Sequence, residues 1–263
     1  MLTSLQNPLI KDFCRLRLGK ERRRQNVCLL EGTNLIATAI ARNFSFVTVL
    51  YTAAWADRHP DLVAQMRGDR REFVTVEVMQ KVATTVNPDG VVASISRDLM
   101  QSPPPATIQL GVAIERLQDP GNLGTIIRTA TATGVDGLFL SEDSVNPENP
   151  KVLRASVGAW FQTPPRVTSD LEEIVQTYQA QGTQVIATLP EAKKTYWDLD
   201  WRRSSLILLG NEGAGLSAEL AALADEAVSI PMAQGIESLN AAIACSLMLY
   251  EAQRQRFKTS TNN

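Results

Sequence analysis

Three glycine-containing segments carry the polar residues of this 263-residue chain that could do chemistry. The first is DPGNLGTIIR, residues 119–128. Its amide at Asn122 and its guanidinium at Arg128 could orient an oxygen-rich substrate or a phosphate. Helix capping by Asn122 and an ordinary surface position for Arg128 account for the same pattern, so both interpretations stay open at this point.

The second segment, LLGNEGAGL at residues 208–216, follows an apolar run. Its glycines at 210, 213 and 215 indicate tight turns or close backbone approaches that a side chain would block. The segment has neither the G-K-[ST] of a P-loop nor a G-x-G-x-x-G fingerprint, which argues against nucleoside triphosphates and nicotinamide-dependent oxidoreductases. A backbone cradle for another adenine-bearing cofactor fits better, with Glu212 as a binding group rather than an incidental carboxylate.

The third segment, IPMAQGIESLNAAIA at residues 230–244, joins a strand-like run to a helical one. Ser238 stands where a helix N-cap is expected. Capping would explain Ser238 alone, whereas Asn240 is a poor helix former in the expected first turn. Asn240 is therefore a candidate functional residue.

The elements that must position these segments alternate strands with helices in the second half of the chain. Residues 108–114 form a nearly continuous apolar run, typical of a strand buried on both faces. GLFLSE, TQVIATL, SLILLG and EAVSIP predict further strands, a helix is expected from Asp170 to about Gln181, and a closing helix begins near Leu239. The repetition predicts a mostly parallel α/β sheet covered by helices, with a ligand outside the carboxyl ends of the strands.

The first half predicts a separate, small α/β domain. Between residues 27 and 96, the strand-like runs VCLL, FVTVLY, FVTVEV and GVVASIS alternate with helical patterns such as TNLIATAIAR. QSPPPAT, residues 101–107, is typical of a stiff linker, because proline sustains neither a helix nor a central strand. We therefore expect domains at 1–100 and 108–257, joined by the linker 101–107 and followed by a polar tail, 258–263.

Composition narrows the class of protein. A net charge of −2 and a hydrophobic fraction of 44% are ordinary for a soluble protein, and neither a membrane span nor a signal peptide is recognisable, so a cytosolic location is expected. Cys14, Cys28 and Cys245 lack the number and spacing of a disulfide framework or zinc site, and no metal is predicted. The only histidine, His59, lies outside the three segments, so histidine general-base chemistry is not expected.

A basic run lies near the N-terminus. Between Lys11 and Arg24, seven basic residues stand against two acidic ones, a net charge of +5. Such a run can form a phosphate-facing patch, or it can be the solvated face of a helix.

In their order and spacing, DPGNLGTIIRTA, LGNEGAGL and IPM followed by ESLNAA resemble the three motifs of the SpoU (TrmH-type) RNA 2′-O-ribose methyltransferases of the SPOUT superfamily. SLQNPLIKDFCRL, LLEGTNLI and GVVA resemble the substrate-binding domain of the ribosomal-RNA branch, so the resemblance covers nearly the whole chain. One departure is VNPDGV, residues 86–91, where relatives often carry glutamine or histidine before the glycine. The part of that loop in substrate handling stays open.

The resemblance implies a fold and an activity that periodicity does not reveal. The expected catalytic domain is a parallel α/β sheet with a deep trefoil knot that binds S-adenosylmethionine, preceded by an RNA-binding domain. The expected protein is a homodimer, with the knot and closing helix at the interface, and methylates a ribose 2′-hydroxyl of structured RNA. Large-subunit (23S) ribosomal RNA is the favoured substrate. The alternatives are transfer RNA, or a catalytically inactive RNA-binding protein of the same fold.

The resemblance also implies the site residues. The catalytic set is Asn122, Arg128, Glu212, Ser238 and Asn240. The cofactor set is Thr188, Leu189, Gly210, Asn211, Glu212, Gly213, Ile230, Met232, Ser238 and Leu239. The RNA-binding set is Lys11, Arg15, Lys20, Arg22, Arg23, Arg24 and Arg128. For Arg128 we expect a positioning role rather than a general-base role, because a guanidinium gives up a proton very reluctantly.

Overall fold

A computed structural model of the chain describes residues 1–100, 103–234, 236 and 238–260. Gln101 and Ser102 of the predicted linker and residues 261–263 of the predicted tail lie outside the described residues. The helices are α1 (Pro8–Arg15), α2 (Gly19–Gln25), α3 (Thr33–Ala41), α4 (Ala53–Arg58), α5 (Pro60–Gln65), α6 (Val76–Val82), α7 (Pro120–Ala132), α8 (Pro150–Ala155), α9 (Leu171–Ala180), α10 (Ala218–Ala222) and α11 (Ala241–Ser260). The strands are β1 (Val27–Glu31), β2 (Phe46–Tyr51), β3 (Gly68–Phe73), β4 (Val91–Ser96), β5 (Leu110–Ile114), β6 (Gly137–Ser141), β7 (Arg166–Thr168), β8 (Gln184–Thr188), β9 (Lys194–Thr195), β10 (Ser205–Leu209) and β11 (Glu226–Ser229).

The chain folds into two compact units. The first combines Met1–Ser102 with Asn146–Phe161, and the second combines Pro103–Val145 with Gln162–Asn263. The sequence predicts a contiguous second domain, 108–257, whereas the structure packs residues 146–161, including α8, into the first unit. Residues 103–107 of the predicted linker belong to the second unit, where the Tyr178 hydroxyl donates a hydrogen bond to the Pro105 carbonyl over 2.7 Å.

The first unit contains a four-stranded sheet of order β1-β4-β2-β3. β1 and β2 run antiparallel to β4, and β3 runs parallel to β2. The expectation of a strand over FVTVEV, residues 73–78, is wrong. β3 ends at Phe73 and α6 begins at Val76, because Thr75 caps that helix by accepting a hydrogen bond from the Val78 N–H at 3.3 Å.

The second unit contains a seven-stranded sheet of order β7-β6-β5-β10-β8-β11-β9. Every neighbouring pair is parallel, which confirms the predicted α/β fold class. β5 and β10 are buried at every residue, as their continuous apolar runs predict. Asp170 caps α9 by accepting a hydrogen bond from the Glu173 N–H at 2.8 Å, as its position in the sequence predicts.

The closing helix is longer than the sequence predicts. α11 continues to Ser260, so the helix runs into the segment expected to be a polar tail from residue 258.

Cys28 and Cys245 are buried free thiols, and burial raises the pKa of each to about 12. Among the described residues, no helix is both long and apolar enough to span a membrane.

Candidate functional site

The second and third motif segments line a cavity at one edge of the second unit's sheet. β10, β8 and β11 are neighbours, and the residues that follow each strand line a common cavity of about 330 Å³. Because these strands are parallel, their carboxyl ends lie at the same edge. The cavity is lined by all the residues of the predicted cofactor set: Thr188, Leu189, Gly210, Asn211, Glu212, Gly213, Ile230, Met232, Ser238 and Leu239.

The loop after β10 is closed on itself by its own backbone. Asn211 and Gly215 exchange two N–H···O=C hydrogen bonds of 3.0 Å each. The Asn211 side-chain oxygen accepts hydrogen bonds from the N–H groups of Gly213 and Ala214, both at 2.9 Å. A Cβ at Gly210 would lie 2.1 Å from the Gly215 carbonyl carbon, so only glycine allows the loop to close this tightly.

The Glu212 carboxylate joins this loop to the one after β5. Its oxygens accept hydrogen bonds from the N–H groups of Gln118 and Asp119, both at 3.2 Å, and from Nδ2 of Asn122 at 3.1 Å. Partial burial raises the pKa of Glu212, but the Asn122 and backbone hydrogen bonds outweigh it and hold that pKa below its usual value. Glu212 is therefore ionised at neutral pH.

Asn240 extends this hydrogen-bonded chain to the closing helix. Its Nδ2 donates to Oδ1 of Asn122 over 2.8 Å, while its Oδ1 accepts from the N–H groups of Ala242 and Ile243 at 2.9 and 3.3 Å. Asn240 is thus the residue that caps α11, whereas the sequence placed Ser238 in that position and Asn240 inside the helix. Ser238 lines the cavity instead.

Of the predicted catalytic set, Glu212 and Ser238 line the cavity, whereas Asn122, Asn240 and Arg128 do not. Arg128 is exposed on α7, six residues after Asn122, which corresponds to about 9 Å along the helix axis. It has no hydrogen bond or ion pair with another described residue. The structure therefore brings Asn122, Glu212 and Asn240 together but places Arg128 outside that cluster.

The predicted RNA-binding cations of the first unit divide into two kinds. Lys11, Arg15, Lys20, Arg23 and Arg24 are exposed. The inclusion of Arg22 is wrong, because its side chain is buried and donates to the backbone carbonyls of Leu16 and Arg17 over 2.8 and 3.1 Å. A side chain that fixes the turn between α1 and α2 in this way cannot also face a phosphate in solvent. His59 lies outside the cavity and is half-buried against the Trp55 ring, with ring centroids 5.1 Å apart.

Sequence reasoning missed several groups of the site. The Gln118 and Asp119 N–H groups hold Glu212, and Pro190, Leu209, Leu216, Ala241 and Ala244 also line the cavity. Position supplies the signal that could have found them, since each lies within a few residues of a strand's carboxyl end or at the start of α11.

The cavity suits a ligand that is part apolar and part polar. Leu209, Leu216, Ile230 and Leu239 offer apolar walls, and the glycines after β10 expose backbone groups. Glu212 adds a carboxylate that is ionised at neutral pH. S-adenosylmethionine combines an adenosyl group, which suits the apolar walls and the backbone groups, with a positive charge, which suits the carboxylate. The residues present therefore fit S-adenosylmethionine. Among the described residues, no group of three or more His, Cys, Asp or Glu side chains is arranged to hold a metal ion.

A parallel α/β sheet with such a cavity at adjacent carboxyl ends defines a cofactor-binding α/β domain. The family model of the SpoU rRNA methylases matches residues 109–250, and that of the MRM3-like substrate-binding domain matches residues 7–93. The chain belongs to the SpoU rRNA methylase family.

Relatives and solved structures resemble the chain over nearly its full length. An uncharacterized tRNA/rRNA methyltransferase of Synechocystis sp. is 45% identical, over 99% of this chain and 96% of its own. The 23S rRNA (guanosine(2553)-2′-O)-methyltransferase RlmP of Bacillus subtilis is 30% identical, over 95% and 97%. The crystal structure of the SpoU methyltransferase AviRb of Streptomyces viridochromogenes with the cofactor AdoMet is similar with a TM-score of 0.85 at 30% identity, covering 96% of this chain and 99% of that one.

Proposed function

We propose that this protein transfers a methyl group from S-adenosylmethionine to a ribose 2′-hydroxyl of 23S ribosomal RNA. The observation that carries the proposal is a cavity lined by the second and third motif segments, to which the Asn240–Asn122–Glu212 hydrogen bonds join the first segment. The names of the Bacillus and Streptomyces relatives, which specify 2′-O-methylation of 23S rRNA, favour this substrate. Such a substrate would place the protein in the cytoplasm.

The residues of the cavity have distinct parts in this proposal. The backbone after β10 and the apolar walls would hold the adenosyl group, and Glu212 would face the positive end of the cofactor. When bound, S-adenosylmethionine supplies a methyl group on a sulfonium, which needs orientation rather than activation. Asn240 fixes the amide of Asn122, and Asn122 in turn fixes Glu212. This chain of hydrogen bonds therefore fixes the position of Glu212 in the cavity wall before the ribose binds.

Arg128 would bind the RNA phosphate and stabilise the alkoxide that develops at the 2′-oxygen. The neighbouring residue, Thr129, lies 3.0 Å (Oγ1 to Oγ) from Ser246 of α11, so the helix that carries Arg128 packs against the closing helix. That helix exposes Ile243, Leu247 and Tyr250, which are 49%, 38% and 53% exposed and share one face at i, i+4 and i+7 spacing. A contiguous apolar stripe of this kind favours a homodimer through α11. Such a dimer would carry Arg128 towards the cavity of the partner subunit.

The trefoil knot is part of the proposal, and the order of the strands supports it. β8 and β9 are joined by residues 189–193 alone, yet β11 lies between them and pairs with both. Val228 is level with Thr188 on one side and with Lys194 on the other. The link 189–193 therefore crosses the end of β11. The chain that leaves Ser229 has to pass the loop that β8, this link and β9 form around it.

The activity is tested by incubating the purified protein with methyl-labelled S-adenosylmethionine and unmodified 23S rRNA or transfer RNA. We expect label in 23S rRNA at a single ribose, located by resistance to alkaline cleavage. Label in transfer RNA alone would reassign the substrate. Binding of RNA without label in either RNA would identify a catalytically inactive binding protein.

The role of Arg128 is tested with Arg128→Ala. We expect cofactor affinity to be nearly unchanged and most methyl transfer to be lost, because Arg128 does not line the cavity of its own chain. Unchanged turnover would refute the role. Mixed dimers of the Arg128→Ala and Gly210→Ala chains show in which subunit Arg128 acts. If Arg128 acts in the partner's cavity, the mixed dimer keeps one complete site. If it acts in the cavity of its own chain, no complete site remains.

A further inference from the structure

The first unit contains a polar cleft of about 370 Å³ that the methyl-transfer proposal does not use. One wall is formed by residues 83–86 after α6, and the other by residues 149–151 and 154 at α8. Arg17 and Gln80 complete the lining. α8 lies within the part of the sequence that matches the methylase model, but it packs in the unit that carries the substrate-binding match.

The cleft has a one-sided charge. Arg17, Lys151 and Arg154 line it, and none of its lining residues is acidic or aromatic. The Glu31 carboxylate, which is 3% exposed, lies behind the wall and contacts Arg154. Because Glu31 neutralises one of the three cations, the cleft retains a net charge of +2.

Two of the cations are fixed in place. The Arg17 guanidinium donates to the carbonyls of Lys81 and Ala83, the latter over 2.6 Å. The Arg154 guanidinium donates to Glu31 over 3.0 Å and to the Thr84 hydroxyl over 2.6 Å. These contacts use one terminal nitrogen of each guanidinium, so each has further N–H donors for a ligand.

Glu31 is itself held rigidly. It accepts hydrogen bonds from the N–H groups of Thr84 and Thr85, both at 3.0 Å, and from their hydroxyls. Burial raises the pKa of Glu31, but these hydrogen bonds and Arg154 outweigh it and lower that pKa overall. The wall is therefore preorganised.

The third cation is free. Lys151 is exposed, and its ammonium group has no hydrogen bond or ion pair with any described residue. An ammonium without a partner beside two fixed guanidiniums is not needed to hold the fold together. It is available to a ligand.

We propose that this cleft binds a backbone phosphate of the RNA substrate, with Lys151 and Arg154 as the main contacts. The inference rests on the proposed RNA substrate and adds a binding site to it. Two fixed guanidiniums and a free ammonium match a phosphodiester in charge and hydrogen bonding. Without an aromatic side chain, the cleft offers no surface on which a base could stack. The cleft therefore positions the RNA without selecting its sequence.

The test compares Lys151→Gln with Arg67→Gln. Arg67 is an exposed cation of the same unit, it lies outside the cleft, and its side chain has no partner among the described residues. Both variants lose one charge, so the pair separates a specific contact from a general loss of positive charge. The assays are filter binding of unmodified 23S rRNA over a range of KCl concentrations and steady-state methylation of the same RNA.

For Lys151→Gln we expect the slope of log K against log[salt] to fall by about 1, because one phosphate contact no longer releases its counterions. KM for the RNA should rise several-fold with kcat unchanged. Lys151→Arg should restore both values, and Arg67→Gln should change neither.

Two results would overturn the inference while leaving the methyltransferase activity intact. One is a salt slope for Lys151→Gln equal to that of Arg67→Gln. The other is a lower kcat at unchanged KM, which would place Lys151 in the chemical step. If the wild-type protein neither binds nor methylates RNA, the proposed function fails and the phosphate site fails with it.

Discussion

Replacing Glu212 with glutamine tests whether the hydrogen-bonded chain really holds the cavity. The substitution keeps the shape of the side chain but exchanges one acceptor oxygen for a donor NH₂ group. In the wild type, Oε1 accepts from the Asp119 N–H and Asn122 Nδ2, and Oε2 accepts from the Gln118 N–H. All three partners are donors, and the NH₂ group of glutamine cannot accept a hydrogen bond. At least one of these bonds is therefore lost, and the NH₂ group faces another donor.

The expected magnitude follows from that count. A hydrogen bond to a charged group contributes about 1.5–3 kcal/mol to stability when it is buried. Glu212 is exposed on one side, and solvent weakens the contribution of an exposed charged group, so we expect a loss of about 1 kcal/mol. For a protein of this size, that corresponds to a fall in Tm of about 2–4 °C. If the same free energy is lost on cofactor binding, the affinity for S-adenosylmethionine falls by a factor of about 5.

The assay is scanning calorimetry of wild type and Glu212→Gln at neutral pH and at acidic pH, with cofactor titration at neutral pH. The folded state lowers the pKa of Glu212, so its contribution to stability is fully present above the ordinary value near 4.5. That contribution is lost as the pH falls through the lower, folded-state pKa. The difference in Tm between the two proteins should therefore be constant near neutral pH and shrink in acid.

The matched control is Glu142→Gln. Glu142 is exposed in the same unit, and its side chain has no hydrogen bond or ion pair with another described residue. We expect no change in its Tm or cofactor affinity. A Glu212→Gln protein that behaves like this control, or whose Tm difference persists unchanged in acid, would show that the carboxylate does not support the cavity.

Three further changes probe the same site. Gly210→Ala should abolish cofactor binding in calorimetric titration, because its Cβ would lie 2.1 Å from the Gly215 carbonyl carbon; binding at wild-type affinity would contradict the loop's role. Asn240→Ala should lower Tm by about 2–4 °C, because removing a helix cap costs about 1 kcal/mol, and it should also lower kcat since Asn122 loses its partner. Ile243→Glu should shift the protein to monomer in sedimentation velocity, whereas an unchanged mass would remove α11 from the proposed interface.

The sequence predicted the parts of the fold that depend on local pattern. Continuous apolar runs predicted buried parallel strands, as at β5 and β10. Glycine spacing predicted that the segment after β10 makes a tight turn, and Gly210 shows why a side chain is excluded there. The cofactor set came from the family resemblance, and its members lie together because parallel strands bring their carboxyl ends to one edge.

The failures have a different physical origin, because each depends on one specific side-chain hydrogen bond that composition and hydrophobic pattern do not encode. Arg22 is one of seven basic residues in a short run, and composition gives no sign that its guanidinium turns inward to the carbonyls of Leu16 and Arg17. FVTVEV has the composition of a strand, yet the Thr75 cap converts its second half into a helix. In both cases the deciding hydrogen bond is local, but residue composition does not show which side chain makes it.

The hydrogen bonds among Asn240, Asn122 and Glu212 show how the two kinds of information combine. Each of these side chains comes from a different motif segment, so 90 residues separate Asn122 from Glu212 and 118 separate Asn122 from Asn240. From the sequence alone, Asn240 is an unfavourable residue in a helix, because its contact with Asn122 lies in another segment. It caps α11 with its oxygen and fixes Asn122 with its nitrogen. One amide thus links the start of the closing helix to the carboxylate of the cavity, and a residue that is locally unfavourable becomes intelligible only when the three segments are folded together.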